Sequence, residues 1–183
     1  AVAAATERLA PYPAARVIEG DFKNAAVLLE GLTDHLDGAL LDLGVSSYQL
    51  DCAERGFSYN KEGLLDMRMS RTGETAADLV NSLTWQELAD ILREYGEEPN
   101  AAMIAKKIVF ERERAPITTT TQLSEIIASA LPAAVRRKDK HPARRSFQAL
   151  RIAVNDELQS LRQGLDQIFG LLAPGGRFCV ITF

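Results

Sequence analysis

The run Gly38–Leu43 is apolar except for Asp42, and it spills into the turn Gly44-Val45-Ser46-Ser47. Such a run predicts a buried strand. An acid at the carboxyl end of a strand lies where open α/β sheets bind their ligands. A carboxylate there must find hydrogen-bond partners or stay near water; the other reading is an acid that only caps the next turn. Upstream, Arg16–Glu19 reads as a short strand, Gly20-Asp21-Phe22 as its exit loop and Asn24–Leu29 as a brief helix. Strand, helix and strand at this spacing predict a parallel, doubly wound sheet. The Phe22 ring either covers a planar ligand or joins the core. Beyond the turn, the chain to Met69 is polar and punctuated by glycine, which suits a loop that shapes a site.

From about Asp51 to Ser146 the pattern becomes helical. Connections within α/β units usually take about 2–6 residues, so this stretch predicts an inserted all-helical subdomain. Thr84-Trp85-Gln86-Glu87 is a capping box. Behind it Trp85, Leu88, Ala89, Ile91, Leu92 and Tyr95 share one face that predicts core, with Gly96 ending the helix. A second helix is expected over about Asn100–Glu113, and a third from the Thr118–Thr121 cluster to Leu131. From Ser146 a long amphipathic helix, or a pair, carries Phe147, Leu150, Val154, Leu158, Leu161 and Leu165 along one face. It stops at Leu172-Ala173-Pro174-Gly175-Gly176, and a last strand follows. The expected division is therefore 1–50 core, 51–146 helical insert and 147–183 core resumed.

Charge narrows the partners. The 183 residues carry a net charge of −4, so a nucleic acid must be held by a local basic patch. Arg136, Arg137, Lys138, Lys140, Arg144 and Arg145 crowd one short stretch against the single acid Asp139. Such density suits a phosphate backbone; a solvated loop is the alternative. Cys52 and Cys179 show no ligand spacing, and His141 has no Cys or His neighbour at metal spacing, so no metal is expected. The same cysteine usage predicts a reduced, cytoplasmic protein, and no run approaches the roughly 20 apolar residues that cross a bilayer. No GxSxG, GxxxxGK[ST] or CxxC pattern supports serine hydrolase, P-loop or zinc chemistry. Ala1–Leu9 reads as the tail of a helix, and Arg177–Phe183 as a strand that stops without a turn. Both edges are expected to fall inside a fold whose open sheet edge invites pairing with another chain, hence a homodimer.

Three blocks carry a family resemblance. The stretch Asp37–Met69, the segments Lys140–Ala143, Ser146–Ile152 and Val154–Leu158, and Leu172–Phe183 together resemble, in order and over essentially the whole chain, the MraW-type ribosomal RNA small-subunit (cytosine-N4)-methyltransferases. The resemblance implies a Rossmann-like class I methyltransferase sheet with a large inserted helical subdomain. It also implies S-adenosylmethionine as cofactor, and small-subunit ribosomal RNA or the assembled small ribosomal subunit as partner, with no membrane. The family's cofactor contacts fall on Phe22, Asp42 and Gln49. Its glycine-rich loop belongs upstream of Ala1 and a His-Ser-Leu-Glu-Asp run belongs after Phe183, so an internal piece with weak or no cofactor binding and no turnover alone is expected. For the chemistry, Asp42 is the candidate for placing cofactor or amine, and Ser46 and Ser47 are candidate lining groups whose other role is turn hydrogen bonding. Candidate RNA contacts are Arg55, Arg68 and the basic stretch, with Phe57 or Tyr59 to stack a base; Arg55 and Arg68 equally suit internal pairing with Glu54 and Asp66. A non-catalytic RNA-binding module is the alternative from another class, and a DNA or protein methyltransferase is disfavoured only by the resemblance.

Overall fold

The computed structural model describes residues 2–136 and 141–182. Two compact units result, one of Ala1–Gly44 with Leu158–Phe183, the other of Val45–Glu157.

In the first unit, β1 (Leu36–Asp42) pairs in parallel with β2 (Leu172–Ile181). The register is regular from Gly38↔Arg177 to Asp42↔Ile181 but shifts between Leu36 and Gly38. Two residues of β1 there face the segment from Leu172 to Arg177, so Pro174-Gly175-Gly176 is taken up as a bulge within the strand. The sequence had placed that triplet as a stop before it. Proline has no ladder donor and Gly175 has a φ of 88°, which is why the irregularity sits there. Two further expectations are corrected. β1 is not buried: Leu40 is 64% exposed, because a two-stranded sheet leaves a face that only further layers would cover. Arg16–Glu19 forms no strand; an extended segment needs a ladder partner, and among the described residues the sheet contains β1 and β2 alone. α1 (Val2–Leu9), a 3₁₀ turn at Phe22–Asn24 and α2 (Ala25–Leu29) complete the N-terminal part.

The second unit is helical: α3 (Ser47–Asp51), α4 (Ala76–Ser82), α5 (Trp85–Glu94), α6 (Ala101–Arg112), α7 (Thr120–Ala130), α8 (Ala133–Arg136) and α9 (Arg144–Asn155). α5 packs on α6 and α9, α6 also on α7, and α4 on α9. Leu88, Leu92, Ile104, Ile108, Ile127 and Leu150 are fully buried where these helices meet. The starts of α4 and α5 are capping boxes, Thr75 with Asp78 and Thr84 with Glu87, each hydroxyl accepting from a first-turn amide that the helix leaves unpaired.

Three local expectations change. Trp85 belongs to the apolar face by spacing yet is 36% exposed, lying in a shallow groove beside Lys106, Val109 and Phe110 of α6. Gly96 does not cap α5 in a left-handed turn; Glu97 takes that conformation, with a φ of 48°. Gly96 is needed for close approach, because an added Cβ would stand 2.7 Å from the Arg145 carbonyl oxygen. Finally, Leu158 is 52% exposed. Asp156 is left-handed, with a φ of 47°, and divides α9 from α10 (Glu157–Leu171). That break resets the helical phase, so α10 buries Ser160, Gly164 and Ile168 in place of the extrapolated stripe. No described helix is long and apolar enough to cross a membrane.

Candidate functional site

β1 delivers Asp42 to the carboxyl end of the parallel pair, opposite Ile181, with its side chain exposed. The ladder ends one residue later, where the Leu43 amide donates to the Ile181 carbonyl at 3.1 Å. Gly44, with a φ of 106°, then turns the chain away. Asp42 therefore offers a solvated acceptor at the carboxyl end of a strand, the edge where open α/β sheets bind their ligands. In the same unit, Phe22 opens the 3₁₀ turn that Asp21 caps by accepting from the Lys23 amide at 3.1 Å. One edge of its half-buried ring lies against Gly164 of α10, where any Cβ would collide with it. A helix glycine thus seats the ring and leaves part of it open.

Ser46, Ser47 and Gln49 belong to the other unit, where Ser46 and Gln49 are brought together. The Gln49 carboxamide oxygen accepts from the Ser46 amide at 2.9 Å and from its hydroxyl at 3.0 Å, while the Ser46 oxygen accepts from the Gln49 amide at 3.3 Å. This is a reciprocal capping box on α3. Ser46 is occupied as a cap, and Gln49 retains its amide nitrogen as a donor. Ser47, exposed in the first turn, keeps an uncommitted hydroxyl among the described residues. The Ser-x-x-Gln spacing is a legible signal for this box.

The loop between α3 and α4 is fixed by an arginine pair and an asparagine. Arg68 is bound to Asp66 through two parallel hydrogen bonds of 2.9 and 2.8 Å and donates to the Gly73 carbonyl at 3.0 Å. The Arg68 guanidinium holds the Asp66 carboxyl below its ordinary range. Arg55 forms no ion pair with Glu54; it donates to the carbonyls of Arg68 at 2.6 Å and Met69 at 3.2 Å. Asn155, at the end of α9, accepts from the Met69 amide at 2.7 Å and donates to the Met67 carbonyl at 2.7 Å. Met67 is fully buried with a φ of 62°, an uncommon backbone state for a side-chain-bearing residue. Sequence reasoning did not single out Asn155. An Asn-Asp pair directly after an apolar helical stripe is the signal that was there.

The stacking candidates are already engaged. Phe57 is buried, with the Arg55 guanidinium carbon 5.7 Å from its ring centre, so it is not presented to a base. Tyr59 stacks on His141 at 4.6 Å and meets Phe147 edge-on at 5.8 Å. Burial pushes the His141 imidazole below its ordinary value, and its Nδ1 accepts from the Ala143 amide at 3.2 Å. Of the basic stretch, Arg137, Lys138 and Lys140 lie outside the described residues, as does the side chain of Arg136. Arg144 and Arg145 are exposed at the start of α9, Arg145 donating to the Glu97 carbonyl at 3.0 Å. No group of three or more His, Cys, Asp or Glu side chains suited to a metal occurs among the described residues.

The Ribosomal RNA small subunit methyltransferase H of Deinococcus radiodurans is 57% identical over 178 residues, covering 96% of this chain and 56% of that protein. The proteins of the same name from Pelobacter propionicus and Halothermothrix orenii are 54% and 49% identical, each matching 100% of the chain and 59% and 60% of their own lengths. The chain thus spans 56–60% of the length of these curated relatives. The model of the MraW methylase family matches residues 1–183, and the chain belongs to that family.

Proposed function

We propose that this chain supplies part of an S-adenosylmethionine-dependent methyltransferase acting on N4 of a cytidine in small-subunit ribosomal RNA. The observation that carries the reading is the family match over all 183 residues, and the exposed acid at the end of the parallel pair supports it. The donor set suits the cofactor: the half-open Phe22 ring fits a purine face, and the Asp42 carboxylate fits a hydroxyl or ammonium donor. Gln49, the third contact implied by the resemblance, is assigned a donor role through its amide nitrogen. When bound, the cofactor supplies a methyl group on a sulfonium.

The chain's residues have the task of orientation. A cytosine N4 lone pair is delocalised into the ring, so transfer requires the amine in line with the methyl, and positioning contributes up to roughly 7–11 kcal/mol in favourable cases. An acceptor near the amine, for which the Asp42 carboxylate is assigned, takes a hydrogen bond from it and the proton after transfer, directly or through water. The helical unit Val45–Glu157 acts as the insert that recognises RNA, with Arg144, Arg145 and the adjoining Arg136–Lys140 segment as phosphate contacts. Arg68 serves the loop through Asp66. The target cytidine leaves its stack to be methylated.

The test is methylation of small ribosomal subunits that lack the modification by a protein of the relatives' length containing this chain, read as N4-methylcytidine in nuclease digests. Asp42→Ala is expected to abolish product while leaving RNA binding intact. Absence of N4-methylcytidine with the unsubstituted protein would refute the reading.

A further inference from the structure

α6 buries one flank and displays another. Ala101, Ile104, Ala105 and Ile108 are buried, while Phe110 on the other side is 53% exposed. Phe110 shares a shallow groove with Trp85 at the start of α5, with Lys106 and Glu113 on its walls. Cations lie over both rings: Lys106 Nζ is 4.5 Å from the Trp85 ring centre, and Lys107 Nζ and the Arg114 guanidinium carbon are each 5.3 Å from the Phe110 ring centre. Lys107 and Arg114 share the carboxylate of Glu111 at 2.6 and 3.7 Å. Lys106 has no acid within ion-pair distance among the described residues.

We propose that this groove binds single-stranded RNA, with bases stacked on Trp85 and Phe110 and a phosphate held by Lys106. The inference rests on the ribosomal RNA reading above and adds to it a contact surface outside the basic stretch. Two exposed rings beside an unneutralised cation are what a single strand uses, since every base has a face to stack and every linkage a charge to pair. Paired RNA hides its base faces within the helix. Glu113 repels phosphate, so the strand follows the Lys106 side of the groove.

Trp85 is the chain's only tryptophan, so its fluorescence reports the site directly. The whole chain is titrated with a fluorescein-labelled single-stranded RNA of about ten nucleotides, with binding read by anisotropy. Trp emission is followed with unlabelled RNA of the same sequence. Duplex RNA, polyphosphate and phosphatidylglycerol vesicles are the comparison probes. The single strand is expected to quench Trp85 and the others are not. Trp85→Ala weakens binding roughly 5- to 150-fold, Trp85→Phe retains most of it, and Glu113→Gln tightens it; circular dichroism confirms that each variant is folded. RNA bound with unchanged Trp85 emission and no loss in Trp85→Ala overturns the groove and leaves the methyltransferase reading standing. No RNA bound at all overturns both the groove and RNA recognition by this chain. Quenching by vesicles alone, or by raising protein concentration alone, assigns the surface to lipid or to a second copy and also overturns the proposal.

Discussion

Asn155 joins two sequence blocks that lie far apart in the chain, and replacing it should loosen the loop that ends in Met69. Its side chain accepts from the Met69 amide and donates to the Met67 carbonyl, both at 2.7 Å. Its third bond, to the Arg151 carbonyl at 2.9 Å, stays within α9. Asn155→Ala removes both links to the loop. The Met67 carbonyl belongs to a residue with no exposure, so water does not readily replace the lost donor, whereas Met69 is half-buried and partly rehydrates. An orphaned buried polar group costs about 1–3 kcal/mol, and the left-handed backbone at Met67 loses what holds it there. The expected loss is about 2–4 kcal/mol. Asn155→Asp should fare no better, because it keeps the acceptor for Met69 but turns an oxygen towards the Met67 carbonyl. Two assays read this out. Urea unfolding followed by Trp85 fluorescence gives the stability of the helical unit, and hydrogen exchange at the Met69 amide gives the local opening. That amide should exchange roughly 30- to 800-fold faster. A change below about 0.5 kcal/mol, the range of ordinary surface substitutions, together with unaltered exchange at Met69, would refute the clamp.

Two further outcomes follow from the geometry. The Asp66 carboxyl sits below its ordinary range chiefly because Arg68 hydrogen-bonds its charged form. Its contribution is therefore complete above the ordinary carboxylate pKa and is lost as pH falls through the lowered value. Asp66→Asn should weaken the helical unit at neutral pH and flatten its acid unfolding profile; a profile parallel to that of the unsubstituted protein would show that the pair has no such role. Gly164→Ala should destabilise the sheet-containing unit, since the new Cβ meets the Phe22 ring and stands 3.2 Å from its carbonyl oxygen. The helix propensity gain of about 1 kcal/mol is set against an overpacking cost of about 1–3 kcal/mol. A stability equal to or above that of the unsubstituted protein by thermal unfolding would contradict the collision.

The apolar run ending in Asp42, the capping box at Thr84 and the alternation of strand and helix are local patterns. Each depends on residues a few positions apart, so the sequence alone determined the strand that ends in Asp42 and most helix positions. The Ser46–Gln49 box was equally local and equally readable. Contacts between distant residues were a different matter. Spacing put Trp85 on a core face, but the ring lines a shallow groove beside Lys106 and Phe110 and stays 36% exposed. Phe57 and Tyr59 had the composition of stacking groups, yet Arg55 and His141 reached them first. Arg68 satisfied two readings until Asp66 was seen holding its guanidinium in parallel bonds. Asn155 gained its meaning only when the turn at Asp156 ended α9 and brought that side chain to Met67 and Met69. Sequence reports the periodicity that each segment obeys, and the tertiary fold decides which of its polar groups find partners, because hydrogen bonds between residues some 90 positions apart leave no mark in either local pattern.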